Sequence, residues 1–263
     1  MSRKESPVIS SRFLRIWNRN FKIYRKTWKV SFMPPMLEPL LYLAAFGLGM
    51  SALVGDVSWH DRSVSYIVFI APALLSVNMM YNSFFETTYG SFVRMYYQKT
   101  FDAMMATPLF LEEIITGEII WGATKSVIAS SIMLAIISLF GLIRYPEGLL
   151  FIPLSFLAGL AFASIGMYFT AVVRNIDLFN LPIFLFITPM FLFGGTFFPL
   201  DTLPEWSKVL AYCLPLTHLV EISRAIGIGP FDGFALWNLL YLTLFSIIFF
   251  PLAVVKMRKR LIK

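Results

Sequence analysis

Apolar residues in this chain run in long blocks. They show neither the one-sided stripe of a soluble helix nor the alternation of a half-buried strand. Six blocks of 22 to 26 residues stand out: 33–54, 64–85, 119–143, 148–173, 178–200 and 234–255. A helix needs ~20 mainly apolar residues to cross the hydrocarbon core of a bilayer, so each block predicts a transmembrane span. Within them the only charges are Glu38 in the first and Lys125 in the third. Outer-membrane barrel strands would be shorter and would alternate, so the pattern predicts an all-α polytopic membrane protein with six transmembrane helices. The first block is too long for a signal-peptide core and lacks a small-x-small cleavage site, so it is expected to be retained.

Three segments outside the blocks carry their own pattern. In residues 1–32, Phe13, Trp17, Phe21, Tyr24 and Trp28 recur at helical spacing, with Arg12, Arg15, Lys22 and Lys26 on another face. This predicts an amphipathic helix lying in the membrane interface, aromatic face toward the lipid. Residues 86–118 form the longest polar run between spans. Met95, Phe101, Met104 and Met105 give it a mixed apolar face. It reads as a short helix that either docks in a partner's groove or acts as a solvated connector. Thr107 and Pro108 are placed to cap and begin the next helix. Residues 201–233 are too apolar for a free loop and too broken by Pro204 and Pro215 for a span. They predict two half-length helices, 203–214 and 216–226. These form a re-entrant pair on the outer face or, alternatively, a hairpin on the lipid surface. Glu221 and Arg224 are three apart and can pair on one helix face.

Composition agrees. The chain is 58% hydrophobic and 14% charged, with a mean hydropathy of +0.73. That excludes a disordered chain, and a single cysteine, Cys213, excludes a disulfide-built scaffold. The net charge of +7 is unevenly spread. Nine Lys and Arg precede the first span, five follow the sixth, and Arg94, Lys99 and Arg174 lie in the even loops. That makes 17, against four in the odd loops. The positive-inside rule then puts both termini in the cytoplasm of a multi-pass protein. Because these basic residues abut spans, they mark topology and anionic lipid, and no nucleic-acid partner is expected.

The sequence lacks a phosphate loop, a G-x-S-x-G elbow and a metal-spaced histidine cluster. His60 with Asp56 and Asp61 reads as a solvated outer turn. No catalytic residue and no metal ligand is assigned. Two span charges are too few for an ion-coupled carrier, so transport driven by a separate motor subunit fits best. Glu38 and Lys125 lie at similar depth and opposite in sign. They are expected to pair across spans one and three, although Lys125 could instead reach Glu118 or Glu86.

Two longer runs carry a family likeness. The first is Phe191-Leu-Phe-Gly-Gly-Thr-Phe-Phe-Pro199-Leu-Asp-Thr-Leu-Pro204-Glu-Trp206, followed by Leu214-Pro215-Leu-Thr-His218-Leu-Val-Glu221-Ile-Ser-Arg224. It resembles the signature of ABC-2 type exporter permeases. The second comprises Tyr97-Gln-Lys-Thr-Phe-Asp102-Ala-Met-Met-Ala-Thr107-Pro108 and Gly117-Glu118-Ile-Ile-Trp121-Gly-Ala-Thr-Lys125. It is most similar to the nodulation lipo-oligosaccharide exporter (NodJ-type) branch. The resemblance implies a half-transporter in the bacterial inner membrane. A second copy of the chain and two copies of a cytosolic ABC ATPase would complete it. ATP and Mg would bind to the ATPase, and this chain would hold no cofactor.

The resemblance also implies that helix 94–106 is the coupling helix, docking on the ATPase through Arg94, Tyr97, Lys99, Phe101, Asp102, Met104 and Met105. The outer pair 203–226 would form a gate built from Trp206, Leu210, Leu214, Pro215, His218, Glu221 and Arg224. Dimer contacts would involve spans one and five. The expected cargo is an amphiphilic glycolipid or lipo-oligosaccharide, moved outward. A drug or small-lipid exporter of the same fold, a membrane-embedded lipid-modifying enzyme and a gated channel are the alternatives.

Overall fold

A computed structural model describes residues 10–50, 54–59, 62–231 and 233–262, without the side chains of Val30, Phe32, Pro34, Pro35, Met36, Glu38, Pro39 and Leu48. The chain is an all-α polytopic membrane protein, with one small two-stranded sheet among the described residues. Helix α1 is Phe13–Lys26 and α2 is Trp28–Tyr42, which continues in a π-helical stretch over Leu43–Met50. Strands β1 (Asp56–Trp59) and β2 (Arg62–Ser65) pair antiparallel, Val57 opposite Val64. Then follow α3 (Tyr66–Tyr97), α4 (Thr100–Met105), α5 (Leu111–Leu139), α6 (Glu147–Val172) and α7 (Ile176–Phe193). The chain closes with α8 (Glu205–Tyr212), α9 (Pro215–Gly227) and α10 (Gly233–Leu261).

Helices α3, α5, α6, α7 and α10 are long and apolar enough to cross a membrane. The bent pair α8–α9 makes a sixth if counted as one broken span. The first expected span is helical over 33–50, and its residues 51–53 lie outside the described ones. Helix α6 is the centre, packed on α3, α5 and α10, while α9 packs on α3 and α10. Small residues allow the α5–α6 approach: Ala123 and Ser126 face Gly159, and Ala163 faces Gly122. Helix α7 is peripheral and leaves Leu181, Phe184 and Leu185 exposed.

The two ends of the bundle differ. Helices α1 and α4, the start of α5 and the end of α10 meet at one end, called here the basic end. Arg258 reaches Glu112 at 3.2 Å, and Arg260 donates to the carbonyls of Thr170 and Val173. The β-hairpin, the turn after α5, and α8–α9 form the other end, the hairpin end.

Several expectations need correction. The helix expected over 94–106 is two pieces. Residues 94–97 finish α3 in π turns, Lys99 adopts a left-handed conformation (φ 52°), and α4 restarts at Thr100. Thr107 does not cap the next helix. Its hydroxyl donates backward to the Met104 carbonyl at 2.6 Å, and α5 begins three residues after Pro108. There the Glu113 carboxylate accepts the Phe110 N–H at 2.9 Å, filling the cap role. The aromatic face of α1 turns partly onto α5: Trp17 donates to the Thr124 hydroxyl at 2.9 Å, and Tyr24 meets Trp121 edge-on. Gly117 permits this approach, since a Cβ there would lie 2.9 Å from the Phe13 carbonyl oxygen and 2.7 Å from Ile16 Cβ.

Candidate functional site

Charge is concentrated inside the basic end. Glu86 ends the apolar run of α3, Arg94 lies two turns on, and Glu118 faces them from the second turn of α5. Arg94 Nη1 lies 2.8 Å from Glu86 Oε1, and its Nη2 lies 2.5 Å from Glu118 Oε2. Its Nε also donates to Glu118 Oε2, at 2.9 Å. Ser91 Oγ and Asn20 Nδ2 complete the Glu118 carboxylate at 2.7 and 3.0 Å. Trp121 Nε1 donates to Glu86 Oε1 at 2.9 Å, and Lys125 Nζ lies 2.9 Å from Glu86 Oε2. Two cations thus balance two carboxylates, and every carboxylate oxygen has a partner, which makes burial of these charges affordable. The network ties α1, α3 and α5 together. Burial lowers the nearby Arg19 guanidinium from its ordinary value, with Glu118 opposing.

Lys125 therefore has its partner in Glu86, one of the alternatives open from sequence. The Glu38 side chain lies outside the described residues, so the expected Glu38–Lys125 contact lies there too. Two cavities, of about 450 and 510 Å³, are both lined by Glu86 and Lys125. The second also has Tyr42, Tyr81, Asn82, Phe85 and Ile183 on its walls.

Below this network the polypeptide turns back through residues 96–110. The expected docking residues divide into two sets. Tyr97, Lys99 and Asp102 are exposed, together with Tyr96 and Ala103. Phe101 and Met104 are buried and belong to the chain's own core with Phe92, Met95, Ile114 and Met257. Met105 is half-buried, and Arg94 is held in the ion network. Phe101 and Met104 are thus no exposed docking surface. A six-residue helix has to anchor one face, and its apolar side chains do so against the end of α3 and α5.

At the hairpin end the expected helices are α8 and α9, bent by 88°. Pro215 opens α9 at its first turn, where it lacks only an N–H that would have no intrahelical partner. The Thr217 hydroxyl donates to the Ala211 carbonyl at 2.7 Å and fixes the bend. The two helices differ. Trp206 and Leu210 on α8 are exposed, whereas Leu214, Pro215, His218, Glu221 and Arg224 are buried. Arg224 and Glu221 pair at 3.3 Å, as their spacing allowed. Arg224, fully buried, donates to the carbonyls of Gly195 (2.6 Å), Thr196 (3.2 Å) and Phe69 (3.3 Å), and its guanidinium lies 3.7 Å from the Phe69 ring centre. Gly195 presents its carbonyl from a left-handed conformation (φ 72°) that favours glycine. His218 contacts Asn238 Oδ1 at 2.6 Å and the Tyr212 carbonyl at 2.9 Å, and stacks on Tyr241.

Sequence reading offered Glu86 and Glu118 as partners for Lys125 but missed the roles of Asn20 and Asn238 and the pairing of Arg94 with both carboxylates. The spacing of Glu86 and Arg94 on one helix was the available signal for that pairing. No local pattern joins Asn238 to His218, twenty residues away.

Residues 11–228 match the family described as ABC-2 type transporter. The chain belongs to the ABC-2 type transporter family. Among its relatives in that family, Nodulation protein J of Rhizobium leguminosarum bv. trifolii is 34% identical over 98% of this chain and 97% of its own. Nodulation protein J of Sinorhizobium fredii (strain NBRC 101917 / NGR234) is 30% identical over 95% and 94%. Inner membrane transport permease YadH of Escherichia coli (strain K12) is 23% identical over 82% and 83%. As an ABC-2 family member this chain is a transport protein, and both charged clusters fall within the matched residues.

Proposed function

We propose that this ABC-2 family chain is the membrane half of an ATP-driven exporter in the bacterial inner membrane, its basic end and both termini in the cytoplasm. The cargo is an amphiphilic glycolipid or lipo-oligosaccharide, moved outward. A separate ABC ATPase, present in two copies, binds ATP and Mg and docks on the exposed tip of residues 96–108. A second copy of the chain packs against α2 and α7, where Leu181, Phe184 and Leu185 are exposed.

The observation that carries this reading is the divided tip. Phe101 and Met104 anchor it to the bundle, and Arg94 bolts the helix above it to α5, while Tyr96, Tyr97, Lys99 and Asp102 stay bare. A rigid lever with a polar-aromatic outer face suits a partner that pushes on it. The 510 Å³ cavity supports an amphiphilic cargo. Its volume falls in the ~300–1,000 Å³ range of small-molecule sites, with Tyr42, Tyr81 and Phe85 beside Asn82 and the Glu86–Lys125 pair. The glycolipid class over a drug rests on the resemblance of residues 97–108 and 117–125 to the nodulation lipo-oligosaccharide exporter branch.

The test is co-expression with a candidate ABC ATPase subunit from the same genome. Tyr97→Ala with Lys99→Glu should leave the membrane protein folded and abolish co-purification of the ATPase. In the reconstituted wild-type complex, an acylated oligosaccharide should stimulate ATP hydrolysis more than a drug-like amphiphile. Undiminished co-purification of the double variant would overturn the docking site. Stimulation by drugs alone would overturn the cargo class.

A further inference from the structure

A cavity of about 220 Å³ lies at the hairpin end, apart from the ion network and the tip. Its walls come from four separate places in the chain: Trp59 from β1, Asp201 from the segment after α7, Tyr212 and Glu221 from α8 and α9, and Phe234 from α10. A smaller recess of about 10 Å³ shares Trp59, Glu221 and Phe234 with it and reaches Asn238. Asn238 is almost completely buried, and its amide nitrogen, Nδ2, has no hydrogen-bond partner. His218 Nδ1 contacts only the amide oxygen, at 2.6 Å, and leaves the nitrogen unsatisfied. An unpaired buried amide costs free energy unless something fills the recess. The recess holds about one oxygen atom's worth of space, the size of a water or a single hydroxyl.

The chemistry of the walls selects the occupant. Three aromatic rings around one small space favour a flat apolar face. The carboxylates of Glu221 and Asp201 and the Asn238 amide favour hydroxyls at its rim. A cation is the obvious rival for aromatic walls with carboxylates. Glu221, however, already faces Arg224 at 3.3 Å, and Asp201 is exposed to solvent at the mouth. Little uncompensated negative charge is left inside. A hydroxyl can donate or accept and so satisfies the amide whichever way it is turned, whereas an ammonium can only donate. The volume falls below the range of sites that enclose a whole drug-sized ligand, so it fits one ring.

We infer that this cavity is a pyranose-binding subsite, which holds one neutral sugar ring of the cargo at the end of the bundle opposite the ATPase-docking tip. One ring hydroxyl would enter the recess and pair with Asn238 and Glu221, while the ring face lies against Trp59, Tyr212 or Phe234. The inference rests on the reading that the cargo carries sugar. It adds a place where the sugar is held after the membrane has been crossed.

The test uses the full chain in lipid nanodiscs, free of glycoside detergents, with methyl β-D-glucopyranoside as probe. Saturation-transfer NMR should show transfer to the ring protons and binding in the ~millimolar range. Asp201→Ala and Tyr212→Ala, at exposed positions where folding is spared, should each weaken it about fivefold or more, as the loss of one good contact does. Trp206→Ala, on α8 but off the cavity, should leave it unchanged. No transfer, equal binding in the cavity variants, or displacement of the glucoside by choline chloride would overturn the proposal. The nanodisc experiment contains no ATPase, so absence of glucoside binding to the wild-type chain, with glycolipid-stimulated ATP hydrolysis seen in the separately reconstituted complex, would remove the subsite and leave the cargo reading standing. The reverse result would remove the cargo reading alone.

Discussion

Among the described residues, Arg224 is fully buried and Arg94 mostly so, and the two are made tolerable in different ways. Arg94, at the basic end, faces two carboxylates, and Lys125 supplies the second positive charge. The cluster is neutral because whole charges cancel. Arg224, at the hairpin end, faces one carboxylate and spends its remaining donors on three backbone carbonyls and the Phe69 ring. Its partners are mostly main chain, placed by the fold around Gly195. The first arrangement links side chains on three helices. The second joins a loop, a bent helix and a span through main-chain carbonyls. Side-chain charge pairing at one end and main-chain solvation of a charge at the other is the contrast these clusters teach.

That contrast can be broken. Arg224→Leu should be the most damaging substitution, leaving Glu221 unpaired and three carbonyls unsatisfied at a cost of ~3–5 kcal/mol. Arg94→Met should cost less in stability, because its cluster is partly exposed and Lys125 remains. In that background Glu118→Gln should recover part of the loss by removing the orphaned charge. No comparable recovery is expected from Glu221→Gln beside Arg224→Leu, since the carbonyls stay unpaired. Unfolding titrations in mixed micelles would check both. Equal rescue at the two ends would end the distinction.

The tip has an inside and an outside, and a second experiment sharpens that division. Phe101→Ala should destabilise the chain by ~3–5 kcal/mol, as expected for a buried aromatic. Tyr97→Ala, at an exposed position across the break before α4, should change stability by less than about 0.5 kcal/mol. The same micelle titration reads both. A mild Phe101→Ala would show that the tip is not anchored as the structure has it.

The smallest effect concerns Lys125. A double-mutant cycle of Glu86→Gln with Lys125→Met should return a coupling of ~0.5–1.5 kcal/mol. The same cycle with Glu38→Gln should return less, since Glu86 already occupies the ammonium at 2.9 Å. A larger coupling to Glu38 would make spans one and three the joined pair.

Much of this was readable beforehand. The apolar blocks, the break at Pro204 and Pro215 and the Glu221–Arg224 spacing all reappear in the structure as helices, a bend and an ion pair. The errors cluster where a local pattern competes with a long-range one. Phe101 and Met104 made an apolar face that suited a partner, but the nearest apolar surface was the chain's own, at the end of α3 and on α5. Thr107 and Pro108 had the right chemistry for a helix start, yet α5 starts at Leu111, with the Glu113 carboxylate accepting the N–H of Phe110 just before it.

The sequence by itself determined the membrane class and the family, because hydropathy and short motifs are properties of contiguous residues. A span must satisfy its backbone internally, so ~20 apolar residues suffice to specify a helix. Tertiary structure alone decided which charges meet. Glu86 and Lys125 are 39 residues apart, Asn20 and Glu118 are 98 apart, and the hairpin-end cavity draws Trp59 and Phe234 from opposite parts of the chain. Buried charge is so costly that each such group must find a partner. Which partner it finds depends on how the helices pack, and no local stretch of sequence records that.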